Sequence, residues 1–309
     1  MLLFFLAFYF RFQWPATFRA HFINRNRLRD GKPSILCNHA RYDGRAMTAA
    51  MPNGTVFITI LRHPVALFQS TFSYFELVRY LNLSGDSLPD QIRNFFKHSE
   101  QFMKRTSHPV RLINNGMMFD LGLNQSCYLD DNCIKKHIKH IEEKFFLILI
   151  TEYFDESLVL LKRELCWSME DVTYFVFLKR RTKPASLPKD IQSLIMAFNR
   201  ADLMLYNYFN NSFWRKIKQQ DSRFFEEVAQ LKELNKQMFE KCSDKKTNAE
   251  KEPTKIDVTS IRLKKNLTIN KKINCCQMIR DEIQYLKYHN RKQLPFKKLW
   301  MKAPLDMGC

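Results

Sequence analysis

The residue types in this chain best suited to chemistry are Arg62 and Ser70, a cation and a hydroxyl eight residues apart that together could hold a phosphate. They sit in Gly54–Phe75, GTVFITILRHPVALFQSTFSYF. Val56–Leu61 is a β-branched apolar run of strand length; Arg62-His63-Pro64 interrupts it, and Val65, Leu67, Phe68, Phe72 and Phe75 then recur at helical spacing. The pattern predicts strand, turn and helix. Pro64 suits the first helical position, where its missing N–H would have no partner in any case. Arg62 is therefore expected at the carboxyl end of a buried strand beside a helix N-terminus, where open α/β sheets bind ligands and anions are favoured. Ser70, about two turns into the helix, could reach back to the same anion. A plainer reading also stands, with Arg62 in a surface ion pair and Ser70 in packing.

A second candidate edge follows Ser34–Cys37, expected to be a short apolar strand that ends in Asn38-His39-Ala40-Arg41. A histidine beside a phosphate site could act as a general base, with Arg41 next to it; a lone histidine is also an ordinary satisfied polar residue. Arg180-Arg181-Thr182-Lys183-Pro184 is a basic loop able to close over an anion or to stand as solvated surface. Asp155 and Glu156 open a helical pattern after Phe145–Thr151 (FFLILIT), the second strand-like run. Carboxylates there are favoured by the helix dipole, so capping outweighs catalysis. No cysteine spacing matches a zinc site, and no metal is expected.

These residues need elements to hold them, and 309 residues with 45% hydrophobic content supply the material for a core. Asn114–Leu123 reads as a glycine-containing loop and Ile134–Lys144 as a basic helix. Phe198, Asp202, Leu205, Phe209 and Phe213 mark an amphipathic helix, Phe224–Cys242 a charged one, and Cys276–Tyr288 looks partly helical. Lys245–Lys255 is a polar linker candidate, which divides residues 1–243 from a basic extension, 244–309. Met1–Phe10 is apolar but too short to span a bilayer, and could be a signal-peptide core or a buried strand. Leu294–Trp300 is aromatic and basic, suited to packing or to membrane contact.

Lys and Arg total 50 against 31 acidic residues, a net charge of +19 that points to an anionic partner. About half of this excess lies from Lys241 onward, where 17 basic residues face 7 acidic ones. Basic residues are not interleaved with aromatics as in RNA-binding motifs, so nucleic acid is not the expected partner. Eight cysteines and five Asn-x-Ser/Thr sequons, at Asn53, Asn82, Asn124, Asn210 and Asn266, suggest a secretory lumen. The six-residue spacing of Cys127 and Cys133 permits a local disulfide.

Several runs, in order over nearly the whole chain, resemble the galactose 3-O-sulfotransferase family. They are Ile35–Arg41 (ILCNHAR), Phe57–Phe75, Phe119–Leu123 (FDLGL), Glu152–Trp167 (EYFDESLVLLKRELCW), Glu170–Phe175, Phe209–Trp214 (FNNSFW), Cys276–Leu286 (CQMIRDEIQYL) and Lys298–Trp300. The run from Glu152 is the most specific, whereas the Arg62 to Ser70 spacing is shared with sulfotransferases broadly. The resemblance implies an α/β, P-loop-like sulfotransferase fold with a central parallel sheet flanked by helices. It implies 3′-phosphoadenosine 5′-phosphosulfate as sulfo donor, and a terminal galactose, on a glycolipid such as galactosylceramide or on a glycan, as acceptor at its 3-hydroxyl. It also implies a Golgi membrane enzyme with a lumenal catalytic domain. Arg62 and Ser70 fall on the family's donor 3′-phosphate motif, with Arg181 as a further candidate donor contact. His39 becomes a candidate base or acceptor contact and Arg41 a substrate contact. A Cys166–Cys242 disulfide and a glycan on Asn210 are likewise implied by resemblance, with Asn82 and Asn124 as further candidate acceptors.

The family's cytoplasmic tail, signal anchor and loop around the donor 5′-phosphosulfate have no counterpart here, and Phe12–Phe22 resembles the segment that normally follows that loop. The expectation is an N-terminally truncated fold, inactive or severely impaired on its own. Two other classes stay open. One is a catalytically inactive relic that binds nucleotide or a partner. The other is a basic polyanion- or membrane-binding protein, marked by salt-sensitive binding to polyanions of any kind.

Overall fold

Two aliphatic runs, FITIL and FFLILI, pair as a parallel two-stranded sheet, β1 (Phe57–Leu61) and β2 (Phe145–Ile150). They lie at the centre of a computed structural model that describes residues 14–23, 32–37, 40–104, 108–176, 186–244, 262–280 and 284–285. α1 (Gly44–Ala50) precedes β1. Between the strands come α2 (Pro64–Tyr74), α3 (Leu77–Tyr80), α4 (Leu88–Lys97), α5 (Ser99–Met103), α6 (His108–Leu112), α7 (Gly116–Asp120) and α8 (Asp131–Lys144). After β2 follow α9 (Phe154–Glu164), α10 (Lys189–Phe198), α11 (Arg200–Lys218), α12 (Phe224–Cys242) and α13 (Ile269–Ile279). Parallel partners require a crossover, and the helices α2 to α8 provide it.

Thr59, Ile60 and Leu61 stand opposite Ile148, Leu149 and Ile150, so both strands end at the same level. Leu147 to Ile150 are all buried, a continuous apolar run rather than an alternating one, because helices cover β2 on both faces. α8, α9 and α11 pack on β2. The last residue of β2 is tied to α9 as well: the buried Ser157 hydroxyl accepts from the Ile150 N–H and donates to the Ile150 carbonyl, both at 3.0 Å. α2 carries a second apolar face, Phe68 and Phe72, which packs with Leu77, Ile92, Phe95, Ile191 and Ile195 in a separate cluster. The helix that starts at the sheet edge is thereby held from its far side too.

The architecture is α/β, mostly helical with a small parallel sheet. The strand and helix read from Val56 to Phe75 form as β1 and α2, and Phe145–Thr151 forms β2. Ser34–Cys37, expected to be a strand, is irregular, and Ile35 is 77% exposed. A short apolar run makes a strand only when a neighbour completes its ladder, and among the described residues no strand pairs with it. The chain joins the core further on, at Arg41, which bridges Thr17, and at Tyr42, whose N–H donates to the Asp120 carbonyl at 2.7 Å. Asn114–Leu123, expected to be a loop, contains α7, bracketed by left-handed Asn115 and Gly122. Gly122 meets the Tyr42 carbonyl so closely that a Cβ would stand 2.7 Å from its oxygen. The amphipathic stretch through Phe198 and Phe213 is two helices, broken at Asn199; of Cys276–Tyr288, expected to be partly helical, residues 276–279 close α13 and 284–285 are helical. Among the described residues no helix is long and apolar enough to cross a membrane. Met1–Phe10, the 180–184 loop, Lys245–Lys255 and Leu294–Trp300 lie outside the described residues.

The cysteine pairing corrects the implied Cys166–Cys242 bond. Cys242, at the end of α12, pairs with Cys275 of α13, and Cys166 is an exposed free thiol in left-handed backbone just beyond α9. Cys242 is fully buried in a small cluster with Phe175, Leu263 and Met278, so its sulfur faces away from solvent toward the segment that follows α12. Cys127 and Cys133 are joined, as their spacing permits. Peptide mapping without reduction is expected to recover Cys127–Cys133 and Cys242–Cys275 as linked pairs, with Cys166 alkylated. The 33-residue separation of Cys242 and Cys275 gives a loop-closure contribution of about 3–4 kcal/mol, so Cys242→Ser should lower the urea midpoint markedly and Cys166→Ser should not.

Candidate functional site

The site is built where β1 and β2 end together. Chain leaving a strand and entering a helix within two residues has backbone groups that neither ladder nor helix can satisfy. Here side chains from other elements take them in succession. The Thr151 hydroxyl donates to the Leu61 carbonyl at 2.9 Å. The Met117 thioether of α7 accepts from the Arg62 N–H at 3.4 Å. The Glu152 carboxylate accepts from the His63 N–H at 2.9 Å. Arg62 is thus set at the carboxyl end of β1, half-buried, with the N-terminus of α2 beside it.

His63 caps α2 by accepting from the Val65 N–H on its ring Nδ1 at 3.3 Å, which puts the proton of the neutral ring on Nε2. Burial lowers its pKa, against a smaller raising effect of Glu152, so the ring is neutral near pH 7. Its face meets the Tyr206 ring edge-on, centroids 5.1 Å apart. The Tyr206 hydroxyl donates to the second oxygen of Glu152 at 3.3 Å. Burial and the charge of Glu152 push that phenol up, which keeps it a donor. Ser70 sits half-buried two turns into α2, on the helix that begins at Pro64.

Beneath this edge lies a buried carboxylate. Asp202, in the first turn of α11 and 1% exposed, accepts from the Met118 N–H at 2.8 Å and from the Met117 N–H at 3.2 Å. Its own N–H donates to the Asn115 side chain at 3.0 Å, and the Asn115 N–H donates to the Asn199 side chain at 2.7 Å. This closed set of bonds seats the start of α7 on α11 and so places the Met117 sulfur under Arg62. Desolvation raises the Asp202 pKa to about 7, although its two N–H partners pull the other way.

Of the residues singled out in the sequence, Arg62 and Ser70 are the ones carried by this strand-turn-helix unit. Arg41 faces inward: its guanidinium donates to the Phe119 carbonyl at 2.9 Å and the Leu123 carbonyl at 2.8 Å, and lies over the Phe119 ring. It closes the C-terminal end of α7, where a cation is favoured by the exposed carbonyls. Asp155 and Glu156 lie in the first turn of α9 without a side-chain capping bond. Asp155 instead accepts from the Tyr174 hydroxyl at 2.9 Å. Asn210 is mid-helix in α11 and its side-chain oxygen is buried without a hydrogen-bond partner, whereas Asn82 and Asn124 are exposed at turns. His39 and Arg181 lie outside the described residues. No cluster of potential metal ligands occurs among the described residues.

Sequence reasoning missed Thr151, Glu152, Tyr206 and Asp202 as parts of the site. Two signals were present. Glu152 follows β2 as Arg62 follows β1, so the strand-edge argument applies to both. Asp202 is a carboxylate on an otherwise apolar stripe, which a buried helix face tolerates only with partners.

The fold is of the α/β class, and Arg62 stands at a strand's carboxyl edge beside a helix N-terminus, a place where open α/β sheets favour anions. Within that class the family follows from comparison. A profile described as Galactose-3-O-sulfotransferase matches residues 6–293, and the chain belongs to the galactose-3-O-sulfotransferase family. It is 33% identical to mouse (Mus musculus) galactosylceramide sulfotransferase over 89% of this chain and 68% of that protein. It is 36% identical to the human (Homo sapiens) galactosylceramide sulfotransferase over 72% and 54%, and 30% identical to bovine (Bos taurus) galactose-3-O-sulfotransferase 3 over 92% and 69%. The aligned part thus spans about half to two thirds of the length of these relatives. No solved structure matches the chain.

The Asp202 carboxyl gives a pH signature. Its folded pKa, about 7, lies above the ordinary 3.8, so folding takes up a proton between these values and the contribution to stability falls as pH rises through that window. His63 and His137, both lowered from 6.5 chiefly by burial, act with the opposite sign and lose stability as pH falls below 6.5. Asp202→Asn removes only the first effect. Urea unfolding from pH 4 to 8 should show the variant gaining on wild type up to about pH 7 and then running parallel to it.

Proposed function

We propose that this chain is the nucleotide-binding part of a sulfotransferase that moves a sulfo group from 3′-phosphoadenosine 5′-phosphosulfate to the 3-hydroxyl of a terminal galactose. The donor 3′-phosphate is held by the Arg62 guanidinium and the Ser70 hydroxyl. The observation that carries this reading is the setting of Arg62: a half-buried cation fixed at the end of β1, on a turn that leads directly into the helix bearing Ser70. A guanidinium matches a phosphate with two parallel N–H donors, and the positive end of α2 adds to the same field. The backbone groups of the turn already have hydrogen-bond partners without ligand, which limits the ordering cost that falls on binding.

In the transfer, the acceptor oxygen bonds to sulfur as the sulfur–oxygen bond to the 5′-phosphate breaks; the hydroxyl proton passes to a base and adenosine 3′,5′-bisphosphate leaves. His39 is our candidate for that base. The acceptor class follows the names of the relatives, a galactosylceramide or another galactose-ended glycan. A lumenal, Golgi-type setting is supported by oxidised cysteines and by exposed sequons at Asn82 and Asn124.

Calorimetry with adenosine 3′,5′-bisphosphate tests the donor site. Arg62→Ala should weaken binding by about thirtyfold or more, since a charged partner of a phosphate contributes about 2 kcal/mol or above. Ser70→Ala should weaken it several-fold, as expected for one hydrogen bond of about 1 kcal/mol. Absence of binding by the unmodified chain would sink the donor-site reading. Equal, salt-sensitive binding of unrelated polyanions, unaffected by Arg62→Ala, would favour the polyanion-binding reading instead.

A further inference from the structure

The turn Leu61-Arg62-His63 is held by three side chains of unequal strength. A thioether is a weak acceptor, and the Thr151 hydroxyl makes a neutral bond; the Glu152 carboxylate alone makes a charge-assisted one. Glu152 also has two oxygens in use, one on the His63 N–H and one on the Tyr206 hydroxyl, so it joins the exit of β2, the start of α2 and the body of α11. Tyr206 in turn packs edge-on against the His63 ring. Yet Glu152 is an exposed residue at an edge suited to anions, where its negative charge repels a phosphate. A carboxylate in that place is adverse for binding unless what it holds in position outweighs the repulsion.

We propose that Glu152 is a positioning residue for the anion site. By taking the His63 N–H it fixes the direction in which Arg62 leaves β1, and it withdraws that N–H from any ligand, so the anion is directed to the Arg62 guanidinium and the Ser70 hydroxyl. Tyr206 acts through Glu152 by holding its second oxygen. The inference rests on the donor-site reading above and adds to it the residues that orient the phosphate contact.

The test uses adenosine 3′,5′-bisphosphate and three variants of the full chain. Glu152→Gln keeps an acceptor oxygen for the His63 N–H and removes the charge; its affinity should stay within about threefold of wild type or become tighter. Glu152→Ala removes the acceptor and should weaken binding about tenfold. Tyr206→Phe keeps the ring against His63 and should weaken binding about threefold, but have no further effect when combined with Glu152→Ala, because both act on one contact. Thermal melts run alongside separate positioning from folding. If Glu152→Ala lowers the melting temperature with affinity unchanged, or if Ala and Gln both tighten binding, repulsion or plain packing is the whole role of Glu152 and the inference fails. Failure of the unmodified chain to bind the bisphosphate overturns the donor site and this inference together. Wild-type binding that Arg62→Ala abolishes and Glu152→Ala leaves untouched overturns the inference alone.

Discussion

The constraint on which this structure depends is the satisfaction of three successive backbone groups between a strand and a helix. The Leu61 carbonyl and the Arg62 and His63 N–H groups lie where the β1 ladder ends and the N–H bonds of α2 have not begun. Left unpaired at a half-buried edge, each such group costs on the order of 1–3 kcal/mol. Thr151, Met117 and Glu152 remove that cost, and they can do so only because two remote parts of the fold bring them there. Thr151 and Glu152 arrive because β2 ends level with β1. Met117 arrives because α7 is seated on α11. The position of Arg62 is therefore a property of the tertiary structure as a whole.

That seating has its own electrostatic logic. Asp202 lies at the start of α7, where two N–H groups and the helix dipole favour a negative charge, and in a core that disfavours one. Desolvation wins in its raised pKa, so the carboxyl sits near the balance point of its two states at neutral pH. Asn115, in left-handed backbone, and Asn199, at the break between α10 and α11, complete the network by exchanging side-chain and backbone bonds with their neighbours. Such bonds have directional demands that apolar packing lacks, which gives α7 a definite register against α11. Arg41 closes the other end of α7 on its carbonyls, so this five-residue helix, too short to persist alone, is fixed at both termini.

Much of the framework is legible in the residues. Aliphatic runs with β-branched residues mark β1 and β2, Pro64 marks the start of α2, and the strand-to-helix order predicts Arg62 at a carboxyl edge; these are local signals with local causes. Ser34–Cys37 shows where such signals stop, since a strand needs a partner that composition does not supply. Asn114–Leu123 shows the reverse: two glycines and two asparagines read as loop, but Asp202, remote in sequence, offers a carboxylate to the first N–H groups of α7 and stabilises a helix there. The disulfides divide in the same way. Cys127 and Cys133 are near enough in sequence for spacing to suggest their bond, while the partner of Cys242 depends on how the segment after α12 folds back, and that segment brings Cys275 rather than Cys166.

The sequence by itself determined the α/β class, the two strands, the helix that follows β1, and Arg62 and Ser70 as the pair to examine, because hydrophobic period and proline chemistry act over a few residues. Only the tertiary structure decided what surrounds that pair. It turned Arg41 inward onto α7, exposed Cys166, and gathered Glu152, Tyr206 and Met117 around the turn at Arg62. The physical reason is range: a backbone N–H takes whichever acceptor the completed fold brings within about 3 Å, and that acceptor can come from any part of the chain.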